Sequence, residues 1–137
     1  MKKLYLSICF VSLVLMANAQ IDFFEGTYQE ALEKAKSENK PVFVDAYAVW
    51  CGPCKWMDAN TFKDADVAAF YNANFINLKL DAEKGNGREF AGKYRVTAYP
   101  TFFFLRADGS VVKKVMGAYP PDMFLSEGRS ALESFKD

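Results

Sequence analysis

Two cysteines three positions apart, Cys51 and Cys54, straddle a Gly-Pro pair in the stretch Trp50-Cys51-Gly52-Pro53-Cys54-Lys55. The apolar run 41–49 leads into them. If that run is a strand and the residues after Cys51 open a helix, the first thiol lies on a helix N-terminus. Unpaired N–H groups and the helix dipole there favour a thiolate, the species that attacks in thiol–disulfide exchange. Proline suits the first helical turn that such a site needs. Other chemistry lacks parts. The chain contains no histidine, so the commonest general base and the commonest transition-metal ligand are both missing. Lysine plus arginine equals aspartate plus glutamate at 17 each, so no charge excess recruits nucleic acid. On these residues alone the pair has three readings: a redox couple, a structural bridge, or half of a metal site. A bridge closing so short a loop removes little unfolded-state entropy. A zinc site needs two further ligands, and a copper carrier has only Met57 beside the thiols to recommend it.

The N-terminus bears on where the pair works. Lys2 and Lys3, an apolar run over 4–16, and Ala17-Asn18-Ala19 before Gln20 form the pattern of a secretory signal peptide over residues 1–19. An uncleaved membrane anchor is the alternative. Cleavage removes Cys9 and leaves Cys51 and Cys54 in a chain of residues 20–137, periplasmic or secreted. The full chain is 51% hydrophobic and 16% aromatic, and the remainder keeps enough apolar residues to bury a core as one domain.

The elements that must position the pair follow from capping and periodicity. Thr27 and Glu30 form a capping box, which predicts a helix over 28–39 with Tyr28, Ala31, Leu32 and Ala35 inward. Pro41 stops it. Residues 42–47 predict a central strand covered on both faces, with the acid Asp45 inside it. A helix follows Cys54 through Ala59, 61–64 reads as a break, and Asp64 caps a further helix to about Ala73. The run 75–81 alternates and predicts a second strand. A short helix near 88–94 is expected, capped by Asn86 with Glu89. Strands 101–105 and 110–116 flank Ala107-Asp108-Gly109, a hairpin signal, and Pro120-Pro121-Asp122 opens a last helix.

Residues 27–135 resemble the thioredoxin family in five places: Asp45 six residues before the first cysteine, WCGPC itself, Asp81 closing the second strand, Tyr99-Pro100-Thr101 opening the third, and Gly117-Ala118 after the fourth. The phrasing around Asp45-Ala46-Tyr47-Ala48-Val49-Trp50 looks more like exported thioredoxin-like proteins and the C-terminal domain of the DsbD electron carrier than like cytosolic thioredoxin. The resemblance implies an α/β thioredoxin fold, with a central mixed sheet flanked by helices on both faces. It implies Cys51 as a nucleophile more exposed than Cys54, Cys54 as the resolving thiol, and Asp45 as the acid that takes the resolving thiol's proton. Trp50, Gly52, Pro53, Tyr99 and a cis Pro100 are implied to bind substrate, with Tyr47 flanking the site. The lysine that partners Asp45 in the family falls, counting back from Asp81, on Asn77, with Lys79 on the same strand face two residues later. Ala59 stands where a kinking proline is usual, so the helix after Cys54 is expected to run straighter.

The function expected is an exported thiol:disulfide oxidoreductase that reduces protein disulfides, without cofactor or metal, as a monomer supplied by a membrane electron donor of DsbD type. A binding module or redox chaperone using the Tyr99-Pro100 groove without turnover, and an extracytoplasmic oxidase or isomerase, are the alternatives.

Overall fold

A computed structural model describes residues 19–137; the signal-peptide reading falls almost entirely outside them. The helix α1, Tyr28–Glu38, begins at the Thr27 capping box and ends on Asn39 in the left-handed conformation. Then come β1 (Val42–Tyr47), α2 (Gly52–Ala59), a 3₁₀ turn (Thr61–Lys63), α3 (Ala65–Asn74), β2 (Ile76–Asp81), α4 (Gly85–Lys93), β3 (Thr101–Leu105), β4 (Val111–Met116) and α5 (Pro121–Ser134). Asp64 caps α3 through the N–H groups of Asp66 and Val67, and Gly109 takes the positive φ of the β3–β4 turn.

The sheet order is β2-β1-β3-β4. β1 runs parallel to β2 and antiparallel to β3, and β4 closes as a hairpin on β3. With strand side chains alternating between faces, two cores form. On one face Tyr28, Ala31, Ala35 and Phe90, from α1 and α4, cover Val44, Leu78 and Phe103. On the other, Met57, Val67, Tyr71 and Phe124, from α2, α3 and α5, cover Phe43, Phe102 and Phe104. This is the expected mixed sheet with helices on both faces.

One local expectation needs correction. The short helix after β2 starts at Gly85, ahead of residue 88, and Lys84 at its N-cap offers no side-chain bond. The Asn86 side chain instead accepts the Tyr28 N–H, joining α4 to α1, a tertiary use that outweighs local capping. Along β2 the polar Asn77 is buried and Lys79 partly so, on the sheet face that α2 covers. As expected, α2 runs to Ala59 and a break follows it. The helix stops at Asn60, whose φ of −122° and ψ of −78° leave the helical region, so the chain breaks without a proline.

The first turn of α4 packs onto the end of β2 so closely that a Cβ at Gly87 would overlap the Asp81 carbonyl oxygen, whereas Gly92 faces open space. Urea unfolding should show Gly87→Ala losing on the order of 2–4 kcal/mol through backbone displacement. Gly92→Ala, in the same helix, should gain up to about 1 kcal/mol from helix propensity.

Candidate active site

Cys51 and Cys54 are joined in a disulfide with a Cα–Cα distance of 5.3 Å. Cys51 is the N-cap of α2 with extended backbone, Pro53 lies in its first turn, and the Cys51 Sγ accepts the Cys54 N–H at 3.1 Å. The first sulfur thus occupies the helix N-terminus. Its expected greater exposure is not found: Cys51 is 2% and Cys54 3% exposed. Ala48, Tyr47 and Tyr99 pack around the closed pair, so position on the helix, not exposure, distinguishes the two thiols in this state.

The antiparallel register Ala46↔Thr101 brings the end of β1 beside the start of β3, and so brings the loop before Cys51 to Tyr99 and Pro100. The Tyr99-Pro100 bond is cis. Pro100 is buried and its carbonyl accepts the Gly117 N–H at 2.9 Å. Trp50 is 64% exposed, meets Tyr99 edge-on at 5.7 Å, and donates its Nε1–H to Glu83 at 2.6 Å. Gly52 and Pro53 are exposed at the rim. The sequence-expected residues Trp50, Gly52, Pro53, Tyr99 and Pro100 therefore border one surface beside the pair.

Asp45 lies on the sheet face covered by α2 and is 1% exposed. The parallel register sets it opposite Lys79 and sets Asn77 opposite Phe43. The lysine partner is thus Lys79, at 3.4 Å from Asp45 Oδ2, and not the position occupied by Asn77, because register rather than distance from Asp81 decides which side chain faces the acid. Lys79 also pairs with Asp58, one helical turn beyond Cys54, so its charge is shared between two carboxylates. Asp45 Oδ1 has no hydrogen-bond partner. Burial is the main reason that Asp45 holds its proton up to about 7; Lys79 pulls the other way, and Asp58 adds to the rise. Tyr47 receives the Lys79 ammonium over its ring at 4.7 Å.

Two site residues escaped the sequence reading. Asp58 carried a usable signal, since a position four after Cys54 shares its helix face. Glu83, which fixes Trp50 from the turn after β2, carried none.

A family model described as a thioredoxin-like domain matches residues 28–131. The chain belongs to the thioredoxin-like family. Relatives include an H-type thioredoxin of Oryza sativa subsp. indica, 37% identical over 99 residues that make 70% of this chain and 73% of that one. A thiol:disulfide interchange protein DsbD of Pseudomonas sp. is 33% identical over 82 residues, 59% of this chain but only 14% of DsbD. Among solved structures, a disulphide-isomerase candidate from Bacteroides thetaiotaomicron is 44% identical with a TM-score of 0.75, covering 86% of this chain and 98% of its own. The oxidised C-terminal domain of Neisseria meningitidis DsbD gives 27% identity and a TM-score of 0.63, covering 75% and 91%. As a thioredoxin-like protein with this cysteine pair, the chain is a thiol–disulfide oxidoreductase.

The acid in this site has a thermodynamic signature. Asp45 keeps its proton to about 7 when folded but releases it near 3.9 when unfolded. Between those values the native state binds more protons, so stability falls as pH rises across that window and stays low above it. Urea unfolding of the oxidised chain should therefore find Asp45→Asn more stable than wild type at pH 8, by on the order of 3 kcal/mol, and nearly equal to it at about pH 4.

Proposed function

We propose that this chain is an exported protein-disulfide reductase, released from a signal peptide over residues 1–19, with Cys51 as nucleophile, Cys54 as resolving thiol and Asp45 as proton acceptor. The observation that carries this is the Cys51–Cys54 disulfide at the head of α2. Exposed Val49 and Trp50 next to the pair suit a protein client, since apolar surface of this kind marks contact sites.

In the reaction, the Cys51 thiolate attacks one sulfur of a client disulfide, and the other client sulfur leaves as a thiolate and takes up a proton. Cys54 then loses its proton to Asp45, and its sulfur attacks Cys51 Sγ. The bond between Cys51 and the client breaks, the second client thiolate departs, and the Cys51–Cys54 disulfide remains. Two electrons have passed from the pair to the client. The proton affinity of Asp45, near neutral pH, suits an acceptor that must also give its proton up. A dithiol on a membrane donor of DsbD type resets the pair by the same exchange in reverse. Trp50, Gly52, Pro53, Tyr99 and Pro100 line the client's approach.

The likeness to a disulphide-isomerase candidate favours a second reading, isomerase or oxidase, and the reduction potential separates the two. Glutathione or dithiothreitol equilibration should place the pair nearer the reducing thioredoxin range, about −270 mV, than the oxidising range, about −120 mV; a value near the latter gives the second reading. In an insulin assay with dithiothreitol, Cys51→Ser should fall to the uncatalysed rate. Cys54→Ser should accumulate mixed disulfides with clients on non-reducing gels, since the attacking sulfur remains and the resolving one is gone. A chain with Cys51→Ser that matched wild type would remove the enzyme reading and leave a binding module.

A further inference from the structure

Residues 20–24 run along the outer edge of β2 and are fastened by five hydrogen bonds. The Ile21 N–H donates to the Phe62 carbonyl at 2.9 Å and the Phe24 N–H to the Asn77 carbonyl at 2.7 Å. Asn72 accepts the Asp22 N–H at 2.8 Å and donates to the Gln20 carbonyl at 3.0 Å. The Asn77 amide reaches the Asp22 carbonyl at 3.4 Å, and Phe23 forms a single parallel bridge with Asn77. Asn77 thus anchors this segment from the strand position two before Lys79.

What the segment covers is the Lys79 ammonium. The Phe23 ring lies 5.5 Å from it, as does Phe62, and Tyr47 lies at 4.7 Å. Phe23 and Phe62 meet edge-on at 5.5 Å. Three rings therefore surround a cation that two carboxylates share. Below them is a cavity of about 260 Å³ lined by Gln20, Ile21, Phe23, Asp58, Phe62, Lys63 and Lys79, so Lys79 and Asp58 stand between water and Asp45.

We propose that residues 20–24 are a positioning strap for the buried acid: Phe23 covers the Lys79 ammonium that Asp45 and Asp58 share and limits the water that reaches all three. A ring face favours an ammonium that has lost part of its hydration, and the ring's bulk keeps that hydration from returning. Phe23 touches neither sulfur. It acts through Lys79, and its bearing on turnover rests on the role given to Asp45 above.

The groups facing Asp45 are Lys79 from β2, Asp58 from α2 and Tyr47 from its own strand, with the cysteine pair carried on α2, which covers the same sheet face; Lys63 and Gln20 line the cavity. Loosening the strap admits water while leaving both ion pairs of Lys79 in place. Because burial is the main cause of the acid's raised proton affinity, that affinity should fall.

The test is a carbon-13 NMR titration of the Asp45 carboxyl in the chain beginning at Gln20, run beside the pH profile of insulin reduction. Phe23→Ala should lower the Asp45 midpoint by about one pH unit, and Phe23→Leu, which refills the space, should return most of it. Asn72→Ala, which unfastens the strap without touching the rings, should move the midpoint in the same direction. Unchanged midpoints in Phe23→Ala and Asn72→Ala chains that keep a folded spectrum overturn the strap's role. A midpoint that moves while the turnover profile stays in place upholds the strap and removes Asp45 from turnover instead.

Discussion

An ionised carboxylate inside a sheet that is covered on both faces is unstable unless a cation and hydrogen bonds replace the water it has lost. Asp45 obtains the cation through the parallel pairing of β1 with β2, which sets Lys79 directly across from it. The compensation is incomplete. One carboxylate oxygen has no partner, and Asp58 takes a share of the lysine. The outcome is an acid poised near neutrality rather than one locked in its charged form, and it lies on the sheet face covered by the helix that carries the two sulfurs. Much of the surrounding architecture maintains that partial neutralisation.

The aromatic core supplies the rigidity this needs. Phe43, flanking Asp45 on the same strand face, packs against Tyr71, Phe102, Phe104 and Phe124 at centroid distances of 5.0 to 5.8 Å. Tyr71 also bonds the Phe124 carbonyl through its hydroxyl. Interiors packed in this way resist displacement, and α2 is anchored in this one. Met57 shows the link most directly: its side chain is buried in this core, and its sulfur accepts the Tyr119 N–H, tying α2 to the loop before α5. The same helix places Cys54 and Asp58 one turn apart, so disturbing the core would move the Cys54 sulfur and the lysine's second partner together.

At the other end of the site the constraint is topological. β1 ends and β3 begins at the same end of the sheet, and antiparallel pairing brings Tyr99 against the cysteine pair although they are far apart in the chain. The Trp50–Tyr99 contact and the Trp50–Glu83 bond then hold the rim from three separate segments. A client approaching the pair meets a surface assembled from loops on a fixed scaffold, the arrangement in which loops commonly carry function.

The sequence alone was enough for the elements and for the reactive pair, because both are local. Capping at Thr27 and Asp64, the apolar run of β1, the Gly109 turn and the CGPC spacing each depend on residues a few positions apart. The burial of Asp45 was also legible, since an acid within a continuous apolar run has nowhere dry to face except a partner. Tertiary structure decided which lysine that partner is, because strand register is a property of two chains of residues and does not follow from counting along one. It decided that Asn86 serves α1 instead of starting α4, and that Asn77 anchors residues 20–24. It also showed that Asp58, Glu83 and Phe23 belong to the site at all. Except for Asp58, whose place four residues after Cys54 marked its helix face, these depend on which side chains are brought together across a register or a packed face, and such proximity has no trace in local spacing.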